Sequence, residues 1–163
     1  AGMTLNIFNN HADRVRGANL AQIVNVLQAV ILTEGEKMLL TPTYHVMKMY
    51  NIHQDALLVP IDLETDNYTF EGRSIPAVSA SASKKDGSLN ISLTNIDYAK
   101  AREVSISLRG ENYTRVTGQI LASGSVLDYP EKIKVRDFSG AKLTNGVLKL
   151  TIPAHSVIVL NVK

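Results

Sequence analysis

Between Asn9 and Arg14 the chain reads "NNHADR", two asparagines, a histidine, an aspartate and an arginine almost without interruption. Imidazole, carboxylate and guanidinium together are the parts of an acid–base cluster. On a helix, however, Asp13 and Arg14 point in different directions, so His11, Asp13 and Arg14 are read as an ion pair or capping group that holds a turn. Glu34 and Glu36 are a second candidate. They follow an apolar run, the place where barrel folds keep catalytic groups. Glycoside hydrolysis uses two carboxylates about 5–9 Å apart. Residues i and i+2 of a loop need not converge, so neither glutamate is assigned a catalytic role. His45, His53 and Asp55 are possible metal ligands. The two histidines lie more than two helical turns apart and form no i,i+4 pair, so no metal site is expected.

The elements that must position these residues fall into two regions. Over residues 4–54 the apolar pattern is helical. Leu5, Phe8, Ala12 and Val15 recur at three- and four-residue spacing, as do Leu20, Ile23, Val24 and Leu27, with Gly17 as a break between them. "NVLQAVIL" (Asn25–Leu32) is continuously apolar and predicts a strand buried on both faces, as in a parallel sheet. "TEGEK" predicts a loop. Thr41 and Pro42 predict a helix start, with a hydroxyl at N-cap and proline at N1, running through "TYHVMKMYNIHQ".

From residue 55 onward the period is two. Leu89, Ile91 and Leu93 alternate, as do Val104, Ile106 and Leu108, and Leu148, Leu150 and Ile152; each predicts a half-buried antiparallel strand. "SVIVLNVK" predicts a closing strand. "KKDG", "RGEN" and "TNG" are turn signals. Seven to nine strands in about a hundred residues is sandwich spacing. The boundary falls near Gln54–Pro60.

Composition narrows the function classes. Seventeen basic against fifteen acidic residues, all scattered, leave no basic footprint, so a nucleic-acid partner is not expected. No apolar run approaches the roughly 18 residues of a membrane span, and no membrane partner is expected. There is no cysteine, hence no disulfide framework or thiolate chemistry. "AGMTLNIFNNH" has neither the basic n-region nor the cleavage pattern of a signal peptide. It enters a helical pattern with no cap, from which we expect that the chain begins inside a longer protein.

Three segments carry more specific information: "LNIFNNHADRV", "ANLAQIVNVLQAVILTEGEKMLLTPTYHVMKMYNIHQDA", and the closing "IPAHSVIVLNVK", in this order and spacing. Together they resemble the C-terminal third of α-L-arabinofuranosidases of glycoside hydrolase family 51. The resemblance is tightest over Leu5–Ala56 and looser in the strands that follow.

The resemblance implies a mainly β fold: an antiparallel jelly-roll-like β-sandwich over residues 55–163, preceded by an α-helical segment, residues 1–54, that is the C-terminal end of a (β/α)8 barrel with its last strand. It implies a retaining hydrolase that releases terminal arabinofuranosyl groups from arabinan and arabinoxylan, without a cofactor, through one glutamate nucleophile and one glutamate acid/base. Those glutamates belong to an Asn-Glu pair and a Glu-Trp motif upstream of the matched region. This sequence has no tryptophan and no Asn-Glu dipeptide. No catalytic residue is therefore expected here, and the chain alone is expected to be structural and inactive. By position, Phe8 is implied as an apolar wall of the arabinose pocket, Asn10 as a neighbour of it, and Lys37 as standing where some relatives carry a sugar-contacting glutamine. A homo-oligomer is also implied. The alternative is a non-catalytic carbohydrate-binding or oligomerisation module, which would need a row of exposed aromatic side chains on one sheet face.

Overall fold

The computed structural model describes residues 1–21 and 23–163. Helix α1 (Gly2–Asn10) is followed by the hairpin β1 (Ile31–Glu34) and β2 (Lys37–Leu40), helix α2 (Pro42–Tyr50) and a 3-10 turn, Asn51–His53. Strands β3 (Leu57–Val59), β4 (Asn67–Phe70), β5 (Arg73–Pro76), β6 (Val78–Lys85), β7 (Ser88–Asn95), β8 (Arg102–Ser107) and β9 (Val116–Leu121) come next. A 3-10 turn, Pro130–Lys132, precedes β10 (Val135–Asp137), β11 (Lys142–Thr144), β12 (Val147–Ile152) and β13 (Ser156–Val162). The strands after residue 55 outnumber the expected seven to nine because several, such as β3, β10 and β11, are three-residue pieces too short to show a period.

A six-stranded sheet, in the order β10-β9-β13-β7-β6-β3, faces a three-stranded sheet, β11-β12-β8. The strands pair antiparallel. Leu148, Leu150 and Ile152 of the small sheet meet Leu93, Ile158 and Leu160 of the large one. Four of these, Leu148, Ile152, Ile158 and Leu160, are closed to solvent, each contributing about 1.5–3 kcal/mol by burial. This is the mainly β, antiparallel sandwich that the sequence predicted. "KKDG" and "TNG" become two-residue hairpin turns, with positive φ at Asp86 and Gly87 and at Asn145 and Gly146, the type I′ geometry these pairs favour.

Strand β7 departs from its prediction. It is buried on both faces, not one. Leu89, Ile91 and Leu93 face the sandwich core, while Asn90, Ser92 and Thr94 lie under the N-terminal helices. α1 packs on β6 and β7, and α2 on β9 and β13. There Val46 and Met49 meet Leu121, Val157 and Val159 in a second apolar cluster.

Residues 15–21 and 23–30 also depart from prediction; Gln22, inside the expected helical stretch, lies outside the described residues. Among the described residues no helix carries Leu20, Ile23, Val24 and Leu27; all four are exposed, and Leu27 retains 94% of its accessible surface. No strand spans Asn25–Leu32. Asn25 and Gln28 take positive φ, and the chain touches itself in an isolated parallel bridge, Val24 to Ile31. The reason is backbone accounting: a buried parallel strand needs neighbours on both sides for its N–H and C=O groups. Here Asn25 supplies them instead, its side-chain oxygen accepting from the Thr33 amide at 2.7 Å and its amide donating to the Thr33 hydroxyl at 2.8 Å. "TEGEK" is a hairpin turn rather than a loop, with Gly35 at φ 58° between β1 and β2. Helix α2 begins where predicted, but Thr41 does not cap it. Its hydroxyl donates back to the carbonyls of Ala29 and Val30, at 3.0 and 3.2 Å, and so pins the irregular segment to the helix start.

Candidate functional site

A dense polar arrangement lies between the N-terminal helices and β6–β7. Strand β6 reads "VSASASKK": its alanines face the core, so Ser79, Ser81 and Ser83 turn to the other side, where Asn6 meets Ser79 and Ser81 and His53 meets Ser83, with Tyr50 joined to them through Asn6. Asn6 is fully buried. Its amide donates to the Ser79 carbonyl at 3.0 Å. Its oxygen accepts from Tyr50, Ser81 and Ser92 at 2.9, 2.9 and 2.7 Å.

His53 closes the chain of bonds. Nε2 lies 3.1 Å from the Ser92 hydroxyl and Nδ1 lies 2.7 Å from the Ser83 hydroxyl. Since Ser92 spends its proton on Asn6, it accepts from Nε2–H, and Ser83 donates to Nδ1. The network thus assigns the neutral Nε2–H tautomer. Burial pushes the His53 imidazole down to about 4, and the Tyr50 phenol upward.

Ser83 and His53 have the spacing of a nucleophile and its base. Ser83 and Ser92 are nevertheless buried, and the second ring nitrogen meets a hydroxyl, not an orienting carboxylate. Neither of the two main cavities reaches these residues. The arrangement can hold two helices on a sheet; it has no room for a substrate. Sequence reading weighed His53 only as a metal ligand. The available signal was the strict Ser/Ala alternation of β6, which marks a strand with a polar second face.

The residues singled out from sequence lie around this network. Phe8 is half-buried on α1. Asn10, the last residue of α1, donates to the Ala80 carbonyl at 2.9 Å and anchors the helix end to β6. Lys37 is exposed at the start of β2, paired in register with Glu34 across the hairpin turn. Phe8 and Asn10 share one helix; Lys37 stands on a different element, and none of the three lines either main cavity. Glu34 and Glu36 are both exposed at that turn. Arg14 lies 3.3 Å from His11 Nδ1, a local contact across the turn that ends α1. His45 packs edge-on against Tyr44, and its imidazole is pushed down by burial and by Lys48. Among the described residues, no three histidine or carboxylate side chains converge as a metal site requires.

The larger cavity, about 540 Å³, lies between the β1–β2 hairpin, α2 and the Pro130–Lys132 turn. Met38, Leu40 and Met49 give it apolar walls, and Lys48, Glu131 and Lys134 are charged groups on its lining.

A model of the α-L-arabinofuranosidase C-terminal domain matches residues 1–156. The chain belongs to this family. An intracellular exo-α-L-arabinofuranosidase of Bacteroides ovatus is 42% identical over the whole of this chain, which covers 33% of that protein. A family-51 arabinofuranosidase from Xanthomonas axonopodis pv. citri superposes with a TM-score of 0.95 at 42% identity, over 99% of this chain and 34% of its own. The fold recurs in an α-L-arabinofuranosidase of Thermotoga maritima, described as an arabinose complex, with a TM-score of 0.75 at 23% identity over 99% of this chain and 38% of its own. The α-L-arabinofuranosidase C-terminal domain seen here thus spans about a third of the length of these relatives. The family-51 resemblance read from the sequence segments agrees with the family match along nearly the whole chain.

Proposed function

We propose that this domain works as the C-terminal part of a retaining α-L-arabinofuranosidase that releases terminal α-L-arabinofuranosyl residues from arabinan and arabinoxylan. Residues 1–54 are then the C-terminal end of the (β/α)8 barrel and residues 55–163 the sandwich. Both catalytic glutamates come from the barrel, and this chain contributes none. Phe8, Asn10 and Lys37 stand at the rim of the arabinose pocket, and the whole enzyme is a homo-oligomer.

The observation that carries the reading is the 42% identity, along nearly the full chain, with relatives about three times its length whose names say arabinofuranosidase. The exposed apolar side chains of residues 23–38 support it. Leu27, at 94% exposure, and Met38, at 67%, with Ile23 and Val24, form the kind of apolar surface that a neighbouring body covers.

The test is a chimera. The C-terminal third of the Xanthomonas enzyme is replaced by this chain, and both chimera and isolated chain are assayed on an aryl arabinofuranoside. The chimera is expected to turn over and the isolated chain to stay at background. Turnover by the isolated chain, lost on Glu34→Gln or Glu36→Gln, would overturn the reading.

A further inference from the structure

The connection between β12 and β13 turns on His155. Its backbone lies at φ 38°, in the left-handed region that glycine enters without steric cost and other residues occupy at some strain. The backbone alone gives no reason for a histidine there. The imidazole does. Nδ1 lies 3.0 Å from the carbonyl oxygen of Tyr98, and Nε2 lies 3.1 Å from that of Ser123. A carbonyl oxygen only accepts, and a neutral imidazole has one N–H to give. A neutral ring therefore bonds one carbonyl and turns a lone pair toward the other. The imidazolium donates to both.

The two carbonyls belong to different parts of the sandwich. Tyr98 sits in the turn between β7 and β8, which is braced from within. There the Asp97 carboxylate accepts from the amides of Ala99 and Lys100, both at 3.0 Å, and from Arg102 at 2.8 Å. The Asp97 carbonyl also accepts from the His155 amide at 2.8 Å, so backbone and ring grip the same turn. Ser123 lies in the loop after β9. Among the described residues, the other hydrogen bonds of residues 123–129 run within that loop, such as the Ser125 amide to Asp128 at 3.0 Å, or to the turn that follows it. The His155 ring is thus the bond that ties this loop to the β7–β8 turn.

We propose that His155 is a proton-dependent clip: with both ring nitrogens protonated it fastens the loop after β9 to the β7–β8 turn, and on losing a proton it lets the loop go. The loop is the part released because the turn is also held to His155 through the backbone. The charged and titratable groups around the ring are Asp97, Tyr98, Lys100 and Arg102 on the turn, Asp128 on the loop, and the Ala1 amino group, which lines the same cavity as His155. Among the described residues no carboxylate forms an ion pair with the ring. Hydrogen bonds, from the Ala99 amide foremost, hold the Asp97 carboxyl below the ordinary carboxylate range, so it keeps its charge while a histidine titrates. Carbonyl dipoles answer the second proton instead. The clip is therefore fastened at the acid end and lost as pH rises. His53 works in the opposite sense, because its network holds the neutral ring.

The test is carbon-13 and nitrogen-15 NMR of the 163-residue chain across about pH 5 to 8, where a histidine changes charge. The Tyr98 and Ser123 carbonyl resonances are expected to shift with the same midpoint as the His155 ring nitrogens, both protonated at the acid end. Amide exchange of residues 123–129, corrected for intrinsic base catalysis, should quicken about tenfold as pH rises, the scale of one hydrogen bond to a charged group. His155→Asn suits the left-handed backbone and has nothing to titrate, so both carbonyls and the exchange should become flat with pH. Circular dichroism checks that this variant folds, and the wild-type midpoints decide the matter if it does not. Carbonyls that stay still while the ring titrates, or loop exchange unmoved by pH, overturn the clip. So does a response that persists in His155→Asn, which would belong to Ala1 or Asp128.

Discussion

The side-chain oxygen of Asn6 accepts a 2.9 Å hydrogen bond from the Tyr50 hydroxyl, joining the first helix to the second at a point closed to solvent. Ser81 and Ser92 donate to the same oxygen, so one amide ties both helices to β6 and β7. Asn6→Ala removes the acceptor that three buried hydroxyls share and leaves them only their second partners, among them the Gly2 carbonyl for Tyr50 and each other for Ser81 and Ser92. The expected loss is about 2–4 kcal/mol, with the helices detaching before the sandwich melts. Urea unfolding followed by circular dichroism measures it; a midpoint equal to wild type would show that water replaces the amide.

His53 predicts a pH dependence with a definite sign. Its folded value is about 4, below the ordinary 6.5, because burial disfavours the charged ring. The unfolded chain therefore takes up a proton near pH 6.5 that the folded chain refuses until about 4. Stability from this group is whole above pH 6.5, declines as pH falls through that value, and levels off below about 4, for a total of about 3 kcal/mol. His53→Gln should flatten the decline between pH 6.5 and 4 in a series of urea titrations. An unchanged slope would assign the acid sensitivity to the carboxylates.

Most of the sandwich was legible because its strands bury one face or sit in a strong pattern. Leu148, Leu150 and Ile152 alternate with Lys149 and Thr151, and the structure buries that set. Thr41-Pro42 marks α2 because proline has no amide to lose there. The buried network was not legible, because serine and asparagine look alike at a surface and under a helix. Only the helices' return onto the sheet distinguishes the two, and that is a long-range fact. Residues 15–21 and 23–30 differ from expectation for another reason. Their apolar spacing fits a helix or strand, and neither forms without something to pack against.

The exposed apolar surface predicts self-association of the isolated chain. Leu27 and Met38 lie on the segment that the barrel is proposed to cover, and Leu127, at 86% exposure, on the loop after β9. Sedimentation is expected to show mass rising with concentration, and Leu27→Glu or Met38→Glu to reduce the rise. A chain that stays monomeric at high concentration would show that this surface does not bind itself.

Gly118 marks where the large sheet has no room. It lies on β9 beside β13, opposite Leu160. A Cβ there would come within 2.6 Å of Leu160 Cδ2, 3.2 Å of the Val159 carbonyl oxygen and 3.4 Å of the Phe138 ring. Leu160 is itself fully enclosed, so its methyl cannot swing aside without displacing the core around it. The carbonyl is part of the ladder and cannot move alone. Gly118→Ala is therefore expected to destabilise the domain by about 1–3 kcal/mol despite the better strand propensity of alanine. Gly118→Ala combined with Leu160→Val should recover part of that loss, since it removes bulk at the clash. Thermal melts of the single and double variants check this. A double variant no more stable than the sum of its two single losses would place the strain in the backbone contact with Val159 instead.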